Sequence, residues 1–320
     1  MLNELKFVRG GLDKKNFDPT LTHFKIQDGR VWTYNGIICL SCPIACDLDV
    51  APHGVQFLKA LNACEDVTTV HTTASGQLSI KSGNFRTLVD CVPSSEHKAP
   101  PPAGSFIELS GNLLSAVKTL EPFIGFDASR PHFMGILFKG QSALATNNII
   151  AVEYWLGYDF PIAEGVNIPV QAVRELLRIG EEPLGLQVRE DQITFYYTGH
   201  RWLTSKLSTL GWPDVPHLLN QLPTEGLGPV VPGFWDAVDK LQPFTDDMTR
   251  IHFASGAIRT AKDETATVVE LPGVPEVGAF SSAMLTKLRG VADLMDFSQY
   301  PRPVPFQGVN VRGMILGLRA

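Results

Sequence analysis

Residues 35–46 read NGIICLSCPIAC and hold three of the chain's five cysteines. The spacing Cys39-x2-Cys42-x3-Cys46 is one that metal sites use. The same letters also read as an apolar β-strand with small side chains. A second stretch, NNIIAVEYWL at 147–156, separates the two readings. Laid over the first, it puts Asn35 on Asn147, Ile37 on Ile149 and Ile38 on Ile150. Cys39 then falls on Ala151 and Cys42 on Tyr154, so the slot is filled without a thiol. Along a strand Cys39 and Cys42 point to opposite faces, which is poor geometry for chelation. No second cysteine pair and no nearby histidine completes four ligands. The stretch reads as a strand whose cysteines act as small buried hydrophobes.

The likeness extends outward. IQDGRVWTYNGIICLSCPI precedes VAPHGVQFLKALNAC and GQLSIKSGNFRTLVDCVP. FKGQSALATNNIIAVEYWL precedes VNIPVQAVRELLRIG and DQITFYYTGHRWLTSKL. FASGAIRTAKDETATVVEL precedes GAFSSAMLTKLRGVAD and FQGVNVRGMILGLRA. Each set reads hairpin, helix, hairpin, with β-branched and aromatic alternation in the strands and i, i+3, i+4 apolar spacing in the helix. Each is preceded by a further helical segment. A period of about 110 residues makes whole domains the repeating unit. Two Pro-rich stretches, 93–104 and 213–229, read as linkers. The expected domains are 1–104, 105–223 and 224–320.

With 320 residues, 44% hydrophobic and 19% charged, the chain has the composition of a globular protein with several cores. No apolar run is long enough to span a membrane. The first residues lack an apolar signal-peptide core, which predicts a cytoplasmic protein. An odd cysteine count predicts reduced thiols. Dinucleotide, phosphate-loop, zinc-protease and nucleophile-elbow motifs are absent. The eight histidines are scattered with no pair at helical spacing. An enzyme or metal protein on a three-domain β-rich scaffold would have Cys39, Cys42 and Cys46 as its candidates, and it stands as the alternative reading.

The positive charge is not spread evenly. Helices are predicted over 2–15, 53–64, 110–120, 169–179, 232–242 and 281–292. Their cations are Lys6, Arg9, Lys14, Lys15, Lys59, Lys118, Arg174, Arg178, Lys240, Lys287 and Arg289. Their anions are Glu4, Asp13, Glu175, Asp236 and Asp239, so the helices carry +6 in a chain whose net charge is −6. Positive helices on an otherwise negative surface suit a polyanion held on one side.

Here the chain resembles the bacterial and phage DNA polymerase sliding clamp of the beta-subunit type. SRPHFMGILF, ALATNNIIAVEYW, NIPVQAVRELLR and RWLTSKLSTLGWPDV follow that family's order and spacing, as does the apolar tail GMILGLRA. The resemblance implies an α+β fold of three repeated clamp domains, each with two helices on β-sheets, closing into a ring as a head-to-tail homodimer. It implies a non-enzymatic processivity factor without cofactors that encircles double-stranded DNA. Its partners would be a DNA polymerase, a clamp loader and a second copy of itself. It also implies a partner-peptide pocket, carried over by position onto Phe133, Thr146, Asn148, Ile149, Ile150, Ala151, Met314, Ile315, Leu316, Gly317, Leu318 and Arg319. The chain departs from the family where Asn147–Ala151 replaces Asp-Gly-His-Arg-Leu and where Leu316-Gly317-Leu318 replaces Met-Pro-Met. Both changes predict an apolar pocket with its own peptide preference.

Overall fold

Asn35 and Asn147 close their hairpins in the same way. In the computed structural model Asn35 Oδ1 accepts from the backbone N–H of Ile37 (3.1 Å) and Ile38 (2.9 Å). Asn147 Oδ1 accepts from Ile149 (3.1 Å) and Ile150 (2.8 Å). The register beyond each turn also agrees: Tyr34 faces Cys39, and Thr146 faces Ala151. Cys39 and Cys42 lie in strand Ile38–Pro43, as the repeat requires. Each asparagine satisfies two backbone donors that a tight turn leaves open. Asn147→Ala is therefore expected to lower stability by about 1 to 3 kcal/mol. Equilibrium unfolding in urea measures this, and an unchanged midpoint would mean that the asparagine contributes nothing to the turn.

The structure describes residues 1–13, 18–65, 68–96, 99–189, 191–208 and 211–319. Its contacts divide the chain into two compact units, Met1–Leu114 with Gln171–Leu207, and Ser115–Val170 with Ser208–Ala320. The first unit holds a seven-stranded sheet in the order Lys25–Gln27, Arg30–Tyr34, Ile38–Pro43, Arg201–Lys206, Gln192–Tyr197, Gly185–Arg189, Phe106–Glu108. It also holds a three-stranded sheet, Thr69–Thr72, Leu78–Ser82 and Phe85–Val89. The second unit has an eight-stranded sheet running Val166–Pro169, Gly135–Lys139, Ser142–Thr146, Ile150–Trp155, Val311–Ile315, Val304–Gly308, Leu294–Met295, Gly228–Pro229. A four-stranded sheet, Val268–Glu270, Ala257–Arg259, Arg250–Ala254 and Ala279–Ser281, completes it. Both large sheets therefore draw strands from two successive sequence repeats. Phe234, Phe253, Phe280 and Phe297 pack ring against ring in the second unit.

The helices are α1 (Leu2–Val8), α2 (Gly54–Asn62), α3 (Leu113–Leu120), α4 (Val170–Ile179), α5 (Val215–Asn220), α6 (Phe234–Leu241) and α7 (Ser282–Thr286). Three predicted helices are shorter than the sequence pattern suggests. The segment predicted as 2–15 leaves α-geometry at Val8 and passes into a 3-10 turn, Arg9–Gly11. A Cβ on Gly10 would lie 2.1 Å from the Glu175 carboxylate, so close packing uses the glycine there. The segment predicted from 110 begins at Leu113, because Gly111 and Asn112 have positive φ. The segment predicted as 281–292 ends its helix at Thr286 and continues as turns to Val291.

The Pro- and Gly-rich stretch 213–229 contains a helix. Asp214 caps α5 by accepting from His217 N (3.0 Å), with proline in its first turn. That is a regular helix start, hidden by a linker-like composition.

Candidate functional site

Two distant segments named for the pocket are neighbours in one sheet. Strand Ile150–Trp155 pairs with Val311–Ile315, with Ile150 opposite Ile315 and Ala151 opposite Met314. The ladder continues as Leu316 N donates to Ile149 O (2.8 Å). Alternation then sorts the side chains. Ile150 and Ile315 have no exposure and belong to the core, whereas Met314 is half-buried and Leu316 is 39% exposed.

The other named residues are placed around this ladder. Thr146 is buried and donates its hydroxyl to Ile150 O (2.8 Å). Asn148 has φ +71° and accepts from Arg130 Nη1 (2.6 Å). Leu318 turns aside: it bridges Ala279, and its carbonyl accepts from Tyr300 Oη (2.8 Å). Gly317 lies against the Tyr300 ring, where a Cβ would come within 2.5 Å. Ile149 is half-buried and Arg319 exposed.

Helix α5 supplies residues that composition concealed. Val215 and Leu219 pack with Leu144 and Ala151, and Leu137, Trp212, Leu222 and Met314 close around them. The Phe133 ring meets the Trp212 ring edge-on at 5.6 Å. Trp212 Nε1 is buried without a hydrogen-bond partner among the described residues. On the outer side of α5, Leu218 is 43% exposed. The result is an apolar surface of one strand pair and one short helix, with Met314, Trp212, Leu218 and Leu316 reaching solvent. The Asp-x-Pro helix start at 214–216 is the sequence signal that could have found the α5 residues.

Two depressions lie further along the same sheet, on either side of Arg312. One, about 480 Å³, is lined by Ser142, Glu153, Trp155 and Arg312 among others. The second, about 210 Å³, is lined by Leu219, Leu222, Leu227, Pro305 and Arg312 among others. Arg312 Nε donates to Glu153 Oε2 (2.6 Å) and its Nη1 to Asn220 Oδ1 (2.8 Å). Neither depression includes any of the twelve residues named for the pocket.

The named helix cations fall into two classes. Lys6, Arg9, Lys59, Lys118, Arg174 and Lys240 are exposed. For three others the structure shows the partners, although Arg178 and Arg289 are also exposed. Arg178 Nε donates to both oxygens of the buried Glu175 (2.8 and 2.9 Å), and its guanidinium also reaches the carbonyls of Lys6 and Phe7. It thus satisfies carbonyls that the end of α1 leaves open. Lys287 donates to Pro122 O (2.8 Å), and burial holds its ammonium below the usual lysine range. Arg289 pairs with Asp236 (2.7 Å) and with Asp239. Lys14 and Lys15 lie outside the described residues.

Cys39 is completely buried, which pushes its thiol far up. Burial, with a smaller contribution from Glu4, takes Cys42 up to about 12. Metal binding needs the thiolate, which both sites disfavour. Among the described residues no group of three His, Cys, Asp or Glu side chains is placed to hold a metal. No described helix is long and apolar enough to cross a membrane.

Compared as a sequence, the chain matches no family model and no curated protein. Compared as a structure, it is similar to the beta sliding clamp of C. crescentus (18% identity, TM-score 0.81). It is also similar to the DNA polymerase sliding clamp of Bacillus subtilis (15%, 0.83) and to the clamp of Bartonella birtlesii bound to griselimycin (18%, 0.81). Each likeness covers 100% of this chain and 97% of the other. The chain therefore has the fold of the DNA polymerase III beta sliding clamps.

Proposed function

We propose that this protein is a DNA sliding clamp: a non-enzymatic processivity factor that encircles double-stranded DNA without reading its sequence. The observation that carries this reading is the end-to-end structural likeness to beta clamps. The exposed helix cations of an acidic chain support it, because loose, water-mediated phosphate contacts allow sliding. In this reading the three repeats, 1–104, 105–223 and 224–320, act in two copies as a head-to-tail homodimer. A clamp loader opens the ring, the polymerase docks by a short peptide, and all of this takes place in the cytoplasm. The docking surface is the apolar patch of Met314, Leu316, Trp212 and Leu218, backed by Phe133, Thr146, Asn148, Ile149, Ile150 and Ala151. Ile315, Gly317, Leu318 and Arg319 hold its terminal edge.

The direct test is topological. Protein loaded onto nicked circular DNA should be retained at high salt and released when the circle is linearised. Equal retention on both forms would mean a grip on DNA rather than encirclement.

The cations give a second expectation. Replacing Lys6, Arg9, Lys59, Lys118 and Lys240 by alanine should shorten the products of processive synthesis. It should also reduce the slope of log affinity against log salt by up to about 0.9 for each phosphate no longer neutralised. Arg178 and Lys287 are excluded because their loss would strip partners from backbone carbonyls. An unchanged slope would turn these helices away from DNA.

A further inference from the structure

The seven-stranded sheet of the first unit has two unlike faces. On one, Val31, Leu40, Leu203, Phe195 and Leu186 have no exposure. The N-terminal segment closes over this side, with Thr33 Oγ1 donating to Val8 O and Cys42 Sγ to Glu4 O.

The pairing register puts the alternate residues of every strand on the other face. One row across the sheet is Lys25, Trp32, Ser41, Trp202 and Tyr196. The next row is Tyr34, Cys39, Thr204, Thr194, Gln187 and Phe106. Beyond it lie Lys206, Gln192 and Arg189.

The charge on this face is one-sided. Within the described strands of this face Lys25, Arg30, Arg189 and Lys206 stand against one carboxylate, Glu108, while Asp28 and Asp191 lie in the adjoining turns, in a chain whose net charge is −6. The rings are accessible to different degrees. Phe106 is 53% exposed, Trp32, Tyr34 and Tyr196 are half-buried, and Trp202 lies beneath at 5%. Trp32 and Trp202 meet edge-to-face at 5.6 Å, as do Phe106 and Tyr196. Lys25 Nζ sits 5.9 Å from the Trp32 ring. Between the rings the floor is small and buried: Cys39, Ser41, Thr194 and Thr204. Arg30 is committed to holding this floor, donating to Ser41 Oγ (3.0 Å) and His200 O (2.9 Å).

We propose that this face binds single-stranded nucleic acid. Bases stack on Trp32, Tyr196 and Phe106 while Lys25, Arg189 and Lys206 meet phosphates. Cations interleaved with partly exposed rings on an open sheet are what unpaired strands need, since every base has a face to stack and every phosphate a charge. A duplex hides its base faces and could use only the cations. Five inter-strand steps from Trp32 to Phe106 give the platform a width of about 24 Å, enough for several nucleotides. This binding is separate from encirclement and does not depend on it.

The test uses the full chain and a fluorescein-labelled oligo-dT of about 15 nucleotides, within the span of single-strand binding folds. Anisotropy should show saturable, salt-sensitive binding. Arg189→Ala with Lys206→Ala, both exposed positions, should reduce the log–log salt slope by about 1.4. Phe106→Ala should weaken binding about fivefold or more. An abasic oligomer of equal length should bind more weakly than oligo-dT. Melting temperature and solution mass serve as controls on both variants. Absence of saturable binding at low salt would overturn the proposal. So would equal affinity for the abasic oligomer, or equal competition by an acidic peptide, since either makes the face a general polyanion patch. Lys59→Ala with Lys240→Ala separates the two readings. If it lowers duplex retention and leaves oligo-dT binding intact, this face stands apart from the helices. If it abolishes oligo-dT binding, the strand runs on the helices and the sheet proposal fails.

Discussion

A chain carrying Leu316→Asp is expected to lose affinity for the polymerase's docking peptide by roughly a hundredfold, about 2 to 3 kcal/mol. Peptide grooves draw most of their energy from a few apolar anchors in a desolvated cleft. Leu316 is 39% exposed beside Met314 on a segment pinned by its own backbone bond to Ile149. A carboxylate there would have to be desolvated without a partner. The side chain contributes little to the core, so melting temperature and solution mass should hold.

Removing residues 316–320 would be a cruder experiment. It also cuts the Leu316–Ile149 and Leu318–Ala279 backbone bonds and strands the Tyr300 hydroxyl. At about 0.5 to 1.5 kcal/mol per bond, the deletion should cost the second unit measurable stability as well as affinity. Fluorescence anisotropy with the labelled peptide distinguishes the sites. If Leu316→Asp binds normally while Trp155→Ala does not, the peptide lies in the depression beside Arg312.

For the proposed head-to-tail homodimer, Leu88→Asp is expected to convert a particle of twice 35.0 kDa into one of 35.0 kDa, a loss of association of a hundredfold or more. Strand Phe85–Val89 is an outer strand of its sheet, with Leu88 47% exposed. Strand Val268–Glu270 is an outer strand of the four-stranded sheet, with Val268 38% exposed. Unpaired sheet edges invite pairing with another chain. Charge favours joining these two on balance: Arg86 and Lys81 with Asp90 accompany the first, Asp263, Glu264 and Glu270 with Arg259 and Lys262 the second. An added carboxylate at position 88 would meet like charge in the proposed dimer. Arg86→Glu alone should weaken association, and Arg86→Glu with Glu270→Arg should recover part of it. Light scattering at micromolar concentration gives the mass directly. A dimer that survives Leu88→Asp would place the closing contact elsewhere.

The parts of this fold legible in the sequence are those made by near neighbours along the chain. Asn35 and Asn147 each act on backbone two and three residues away, so the hairpins, their register and the repeat could be read directly. The same alternation showed that Cys39 belongs to a strand. Pairing Ile149–Ala151 with Met314–Leu316 came from likeness to a family, and the sheet register brings those segments together. The α5 residues were missed because Pro and Gly around them outweighed a short capped helix.

What only the tertiary structure decided depends on partners far apart in sequence. Arg178 reaches a carbonyl 172 residues away, Lys287 one at 165, and Arg289 a carboxylate at 53. No local pattern distinguishes a cation with such a partner from one facing solvent. The basic aromatic face likewise needs seven strands from three separate stretches in one register. Alternation within a strand specifies two faces, but the packing of the whole chain decides which of them is left to water.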